Sequence, residues 1–515
     1  MAGATANPVF SKFRRGMLLA GPVLALGLLL FGDLEPGRPE VTRTAAVALL
    51  MALWWITGAL PLAATALLPL VLFPALAIMS AQDTASEYIN DVIFLFLGGF
   101  FVALTMQRWD LHRRIALRIL LFFGTHPRRL LMGFMAPTFF LSMWISNTAT
   151  TMMMLPIAAS VIAGLEEQQP SPQVRRYGIG LLLGIAFSAS IGGTATLIGT
   201  PPNISFVRIF AITFPDAPEI PFATWFFFAM PLSLVLLLVL WGLVSLQHCG
   251  RGLHLDLASD QLREQYAKLG PPTYEQKVIF VAFVSMAVLW MTRVDIPIGA
   301  RTIPGWGGLF ENPRYLSDGT VAIAIALLLF LLPARSQPGT QLLDWETARG
   351  MPWDIILLFG GGFALAKGIA TSGLAHWIGA QLQGLDALPP VVLVMLICLS
   401  VSFLTELTSN TATTEMLLPV MASLAVSLEL HPLLLMIPTT LACSYAFMLP
   451  VATPPNAIVF GTRKLHVLDM IRGGVLLNLC AVVLVTFFIF TWGAHVLGID
   501  PAVSPEWAVL PVLPE

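Results

Sequence analysis

Two copies of one polar hexapeptide stand in apolar surroundings: Ser146-Asn147-Thr148-Ala149-Thr150-Thr151 and Ser409-Asn410-Thr411-Ala412-Thr413-Thr414. Each is followed by a small proline-broken element, Gly199-Thr200-Pro201-Pro202-Asn203 and Ala452-Thr453-Pro454-Pro455-Asn456. The residue types define a chemistry. Asn147 and Asn410 donate through amides, and Thr148, Thr200, Thr411 and Thr453 through hydroxyls, so a carboxylate can be held by neutral groups without a fixed Arg or Lys. Pro202 and Pro455 have no N–H to lose, and Pro201 and Pro454 drive the residue before them out of helix, so each break is encoded. A broken helix leaves unpaired N–H groups at one end and unpaired C=O groups at the other, an anion site and a cation site in one place. Carbonyls beside Ser146 and Asn410, with the hydroxyls of Ser142 and Thr405 one helical turn upstream, are hard oxygen ligands for a small cation that would offset an anion's charge.

These elements must be positioned by a membrane protein. Of 515 residues 57% are hydrophobic and 11% charged, with a mean hydropathy of +0.82, too apolar for a soluble core with a polar shell. The net charge of -2 gives no basic footprint for nucleic acid. Cys249, Cys398, Cys443 and Cys480 are scattered, which indicates neither a metal site nor a disulfide framework. An intramembrane enzyme would need a nucleophile with its base or paired metal ligands, and no such constellation is present.

Apolar stretches near 17–33, 43–59, 61–79 and 90–107 are long enough to cross hydrocarbon. The first follows Lys12, Arg14 and Arg15, lacks a small-residue cleavage site and reads as a retained helix with a cytoplasmic N-terminus. Arg108, Arg113, Arg114, Arg118, Arg128 and Arg129 then cluster on the inside, and Arg175 and Arg176 bound the far side of residues 130–164. With both flanks cytoplasmic and the arms too short for two crossings, 130–164 reads as a re-entrant hairpin with the hexapeptide at its tip. A span at 178–212, broken at 199–203, and one at 222–246 lead to a polar linker, 247–277. Spans near 278–292, 318–333 and 354–371 follow. No Lys or Arg occurs from Gly368 to Thr462, which makes 389–428 an external hairpin, followed by a second broken span, 433–461. The last span, 474–496, leaves the tail 498–515 outside. By this scheme 20 of 27 Lys and Arg lie inside. The expected architecture is an all-α polytopic membrane protein of about 11 transmembrane helices, with scaffold helices in 1–89 and 278–353, and repeat units at 90–246 and 354–497.

Residues 146–161 and 409–424 match at 11 of 16 positions with an offset of 263, which also aligns Gly98-Gly99-Phe100 with Gly361-Gly362-Phe363. With one hairpin cytoplasmic and the other external, the repeats are inverted. Inverted repeats with discontinuous helices meeting at the midplane point to a secondary transporter. A channel gives no reason for two opposed hairpins.

Over essentially its whole length the chain resembles the divalent-anion sodium symporter family, the INDY-type carriers of dicarboxylates, citrate and sulfate. The paired Ser-Asn-Thr tips and T-P-P breaks carry the resemblance. It implies that Asn147, Thr148, Thr200, Asn410, Thr411 and Thr453, with Pro454, contact the substrate. It implies one sodium site at Ser142, Ser146, Asn147 and Gly199, and a second at Thr405, Thr408, Asn410 and Ala452. It further implies sodium-coupled import of a dicarboxylate such as succinate or malate across the cell membrane, by a homodimer whose hairpins move elevator-fashion. A sodium-independent exchanger and a sulfate or citrate carrier use the same motifs.

Other features have plainer readings. The Gly-Gly-Phe pairs read as close helix packing and the Arg108–Arg129 cluster as a topology signal. Glu406 and Glu415 are intramembrane acids suited either to coupling or to structural hydrogen bonds. His376, His431 and His495 fall near external helix ends.

Overall fold

Apolar stretches that cannot shed their backbone polar groups into lipid must close them internally, and helices do so within a single segment. The computed structural model describes residues 8–124, 126–168, 170–249, 256–298, 301–382, 388–501 and 503–510. Arg251 of the linker and the last residues of the tail lie outside that set. Among the described residues the helices are interrupted by one antiparallel two-stranded hairpin, Ile296–Ile298 with Arg301–Ile303, in the Gly- and Pro-rich loop before Asp318–Leu331.

Eight described helices are long and apolar enough to cross a membrane. Seven of them match expected spans; the eighth, Asn147–Gln168, is an arm of the segment expected to be a re-entrant hairpin and has 22 residues, longer than that reading expected, while most of the remaining expected spans are divided or short. The expected span 61–79 is split into Leu62–Thr65 and Leu68–Ala75, and Asp318–Leu331 has 14 residues. Pro39–Thr57 carries Glu40 in its first turn and Arg43 close behind. The second broken span consists of Leu433–Ser444 and Pro454–Phe460.

The repeat is visible element by element. Asp91–Arg108 corresponds to Trp353–Ser372, Pro127–Ser142 to Pro390–Thr405, and Asn147–Gln168 to Asn410–Ser427. Pro172–Thr194, a break and Pro201–Thr213 correspond to Leu433–Ser444, a longer break and Pro454–Phe460. The helices packed around these units are Pro39–Thr57 and Phe222–His248 in the first half and Asp318–Leu331 and Val467–Phe488 in the second.

The linker is more than a polar spacer. It contains the helix Asp256–Lys268, and buried Arg114 closes that helix's end by donating to Leu269 O and Gly270 O at 2.9 Å each and to Gln276 Oε1 at 2.7 Å. Arg114 thus has a structural partner set beyond any role in setting topology.

Candidate functional site

Each hexapeptide joins two packed helices. Pro127–Ser142 and Asn147–Gln168 are connected by four residues, and so are Pro390–Thr405 and Asn410–Ser427. The second arms begin at Asn147 and Asn410, so Thr148 and Thr411 already lie in a first turn. The start is set by capping: Ser146 Oγ accepts from Ala149 N at 3.2 Å and Ser146 O from Thr150 N at 3.0 Å. In the second half Ser409 O accepts from Thr413 N at 2.9 Å. The first amides of both arms stay outside the helical ladder and are free for an anion.

The asparagines are oriented the same way. Ser142 Oγ donates to Asn147 Oδ1, and the Thr405 hydroxyl lies 2.7 Å from Asn410 Oδ1 and 2.9 Å from Cys443 O. Both hydroxyl residues are fully buried, whereas Ser146, Asn147, Thr148, Ser409 and Asn410 are half-buried. Asn147 lies directly against Gly193, where a Cβ would come within 2.6 Å of Oδ1. Glycine is required there because the hairpin tip and the broken helix are in van der Waals contact.

Each tip is tied to its own break. Thr196 Oγ1 donates to Met143 O, and Gly199 N donates back to Thr196 Oγ1 at 3.1 Å. Ser402 Oγ donates to Tyr445 O at 3.1 Å, and the Glu406 carboxylate accepts from Met448 N and Leu449 N at 2.9 Å each and from Asn478 Nδ2 at 3.0 Å. Thr200 and Thr453, both 5% exposed, are extended residues that precede the Pro-Pro pairs, and Thr453 Oγ1 accepts from Asn456 N at 3.3 Å. Pro454 has no N–H and offers only its ring. Ala452 is buried, with its N–H bound to Leu449 O, and the Thr408 hydroxyl donates to Leu404 O at 3.0 Å, 2.7 Å from Thr413 Oγ1.

The halves meet crosswise. Thr194 Oγ1 lies 3.0 Å from Tyr445 OH, which links the two breaks. The helix after the first break packs on the second hairpin's arm, and the helix after the second break packs on the first hairpin's arm. The four elements named by the sequence are thus one connected body.

Residues the motif reading passed over hold it together. Asn203 Nδ2 donates to Thr196 O at 2.7 Å and lies 3.3 Å from Thr194 O, while Asn456 Nδ2 donates to Ala446 O and Leu449 O at 3.1 Å each. They close the carbonyls that the breaks orphan. Their signal was the fourth letter of the repeated T-P-P-N.

A polytopic helical protein with a duplicated hairpin-and-break core is the architecture of a membrane transporter. The sodium:sulfate symporter transmembrane region matches residues 36–499, and the chain belongs to that family, an integral membrane transporter rather than an enzyme. The "sodium-dependent dicarboxylate transporter SdcS" of Staphylococcus saprophyticus is 41% identical over 491 residues, covering 94% of this chain and 92% of its own. Human "Na(+)/dicarboxylate cotransporter 3" is 40% identical over 588 aligned positions, covering 98% and 96%. The fold is similar to Neisseria gonorrhoeae MtrF (TM-score 0.55, 13% identity, 92% of this chain and 97% of that one) and to the Alcanivorax borkumensis YdaH transporter (0.53, 12%, 94% and 98%).

Proposed function

We propose that this protein imports divalent anions, C4-dicarboxylates such as succinate or malate, driven by the sodium gradient. The observation that carries the reading is the matched pair of half-buried asparagines, Asn147 and Asn410, each at the N-terminus of a hairpin arm and beside a break. The relatives' names and the family support it.

Asn147, Thr148 and Thr200 would take one carboxylate of the substrate, and Asn410, Thr411 and Thr453, with the ring of Pro454, the other. The amides of the two hairpin arms donate, and the Pro-Pro helices contribute their dipoles. Sodium would sit behind each tip, one ion at Ser142, Ser146, Asn147 and Gly199, the other at Thr405, Thr408, Asn410 and Ala452, held by their carbonyl and hydroxyl oxygens. Each ion would neutralise part of the dianion's charge, which makes substrate affinity depend on sodium.

In this reading 127–168 and 390–427 are re-entrant hairpins, the first entering from the cytoplasm and the second from outside. The N-terminus is cytoplasmic and the C-terminus external. Hairpins and broken helices move together against the flanking helices of a homodimer, as an elevator. The test is uptake of labelled succinate by purified protein in liposomes. An inward sodium gradient is expected to raise the initial rate at least tenfold over potassium. Uptake indifferent to sodium but driven by internal dicarboxylate would overturn symport in favour of exchange.

A further inference from the structure

Two carboxyl groups are buried beside the second hairpin, and only one has its hydrogen bonds complete. Glu406 has its three donors. Glu415, one turn beyond Thr411 on the arm 410–427, has no exposed surface. Ser205 Oγ donates to its Oε1 at 3.1 Å, while Oε2 is buried without a partner. The carboxyl is pressed against helix 353–372 at Gly362, where a Cβ would run into it. That glycine, legible in the sequence only as part of a packing motif, makes room for an acid.

Among the described residues, none packed around this arm forms an ion pair that would compensate a negative charge on Glu415. Arg208, on the same helix as Ser205, pairs with Glu87 at 2.7 Å, and the Tyr88 hydroxyl donates to Ala66 O. Cys443 contacts Thr414. Lys367 and Asp354 on helix 353–372, His376 on 374–381, and Glu40 and Arg43 on 39–57 form no ion pair with it among the described residues. An ionised carboxylate with a bare oxygen at such a place is strongly disfavoured. One carboxyl and one hydroxyl against a glycine also fall short of the oxygen shell that a hard metal cation needs.

We propose that Glu415 carries a proton, and that only the neutral acid lets the second hairpin slide past helix 353–372. This rests on the transport reading above. Ser205 belongs to the helix 201–213, which packs on the hairpin arm, so its bond to Glu415 travels with the hairpin. Helix 353–372, which carries Gly362, is neither hairpin nor broken helix, so in the transport reading it stays with the flanking helices and the Glu415–Gly362 contact is one that must slide. Loss of the proton would leave an unpaired charge to drag along an apolar helix face, so high pH arrests the carrier. Glu415 thereby makes the cycle sensitive to pH in one half only, since the repeat equivalent is Met152.

The test is sodium-driven succinate uptake in proteoliposomes with equal pH on both sides, from about pH 7 to about pH 10, where the substrate stays a dianion. The wild-type rate is expected to fall at least fivefold and that of Glu415→Gln, permanently neutral, to stay within twofold. A wild-type rate that does not fall, or a Gln variant that follows the wild-type decline, overturns the proposal. Ser205→Ala, which removes a donor that favours the ionised form, is expected to move the decline to higher pH, and a move to lower pH contradicts the account. Infrared spectroscopy of the purified protein needs no transport and so separates failure of this inference from failure of the transport reading. At about pH 7 the carbonyl stretch of an un-ionised acid is expected in wild type and missing from Glu415→Gln, and a wild type without that band overturns the proposal.

Discussion

The two breaks perform one task with different chemistry. In the first half Pro172–Thr194 runs for 23 residues and a short gap to Pro201 is closed by hydroxyl and amide side chains, with Met143 supplying only its backbone carbonyl. In the second half Leu433–Ser444 is 12 residues long and the gap to Pro454 is wider. The added non-helical backbone leaves N–H groups at Met448 and Leu449 outside any helix, and the carboxylate of Glu406, the repeat equivalent of Met143, takes both. The proposed ligand positions are matched between halves, as Ser142 with Thr405, Asn147 with Asn410, and Thr200 with Thr453. The supports are matched only in part: Asn203 and Asn456 do the same work, whereas Met143 and Glu406 do not. A duplicated site can thus keep its ligands while each copy finds its own way of paying for unpaired backbone.

The largest effect that would break this comparison is Glu406→Ala. It strands two backbone donors and Asn478 Nδ2, and is expected to cost about 3 kcal/mol or more and to abolish uptake. Met143→Leu, at the equivalent position, should cost less than about 1.5 kcal/mol. Thermal unfolding of the purified variants measures both, and equal costs would show that the second break supports itself. Next come Asn203→Ala and Asn456→Ala, each leaving buried carbonyls unpaired and each expected to lose about 1–3 kcal/mol. Because they are matched, a cost confined to one half would contradict the symmetry. Tyr445→Phe removes the hydroxyl link between the breaks and should cost about 1 kcal/mol, read from the same melts. Smallest is Glu166→Gln. Its 2.5 Å pair with Lys464 also joins the halves, but both side chains are more than a third exposed, so a loss of no more than about 1 kcal/mol is expected, shrinking with salt.

Much of the bundle was readable beforehand because apolar length and punctuation are local. The segments 130–164 and 389–428 fall within a few residues of the helix pairs observed, and the T-P-P motifs mark where new helices start. Where the preceding helix ends was not readable. Residues 441–452 are apolar but for Ser444 and Tyr445, and their non-helical course after Ser444 depends on Ser402 and Glu406, partners some 40 positions away in sequence. For the same reason Glu406 and Glu415 looked alike as sequence letters. One accepts three hydrogen bonds and the other lacks a partner for one oxygen, a difference that only packing creates. Arg114 likewise reads as one charge in a basic cluster until the linker helix returns to lie over it.

The central claim is that Asn147 and Asn410 serve one site to which sodium and a dicarboxylate bind together. Equilibrium binding of succinate to purified wild type, Asn147→Ala and Asn410→Ala, each in sodium and in potassium, tests it most directly. The account predicts binding by wild type at least tenfold tighter in sodium, and loss of that binding in either variant with the melting transition retained. Sodium-enhanced binding that survives intact in either asparagine variant would contradict it.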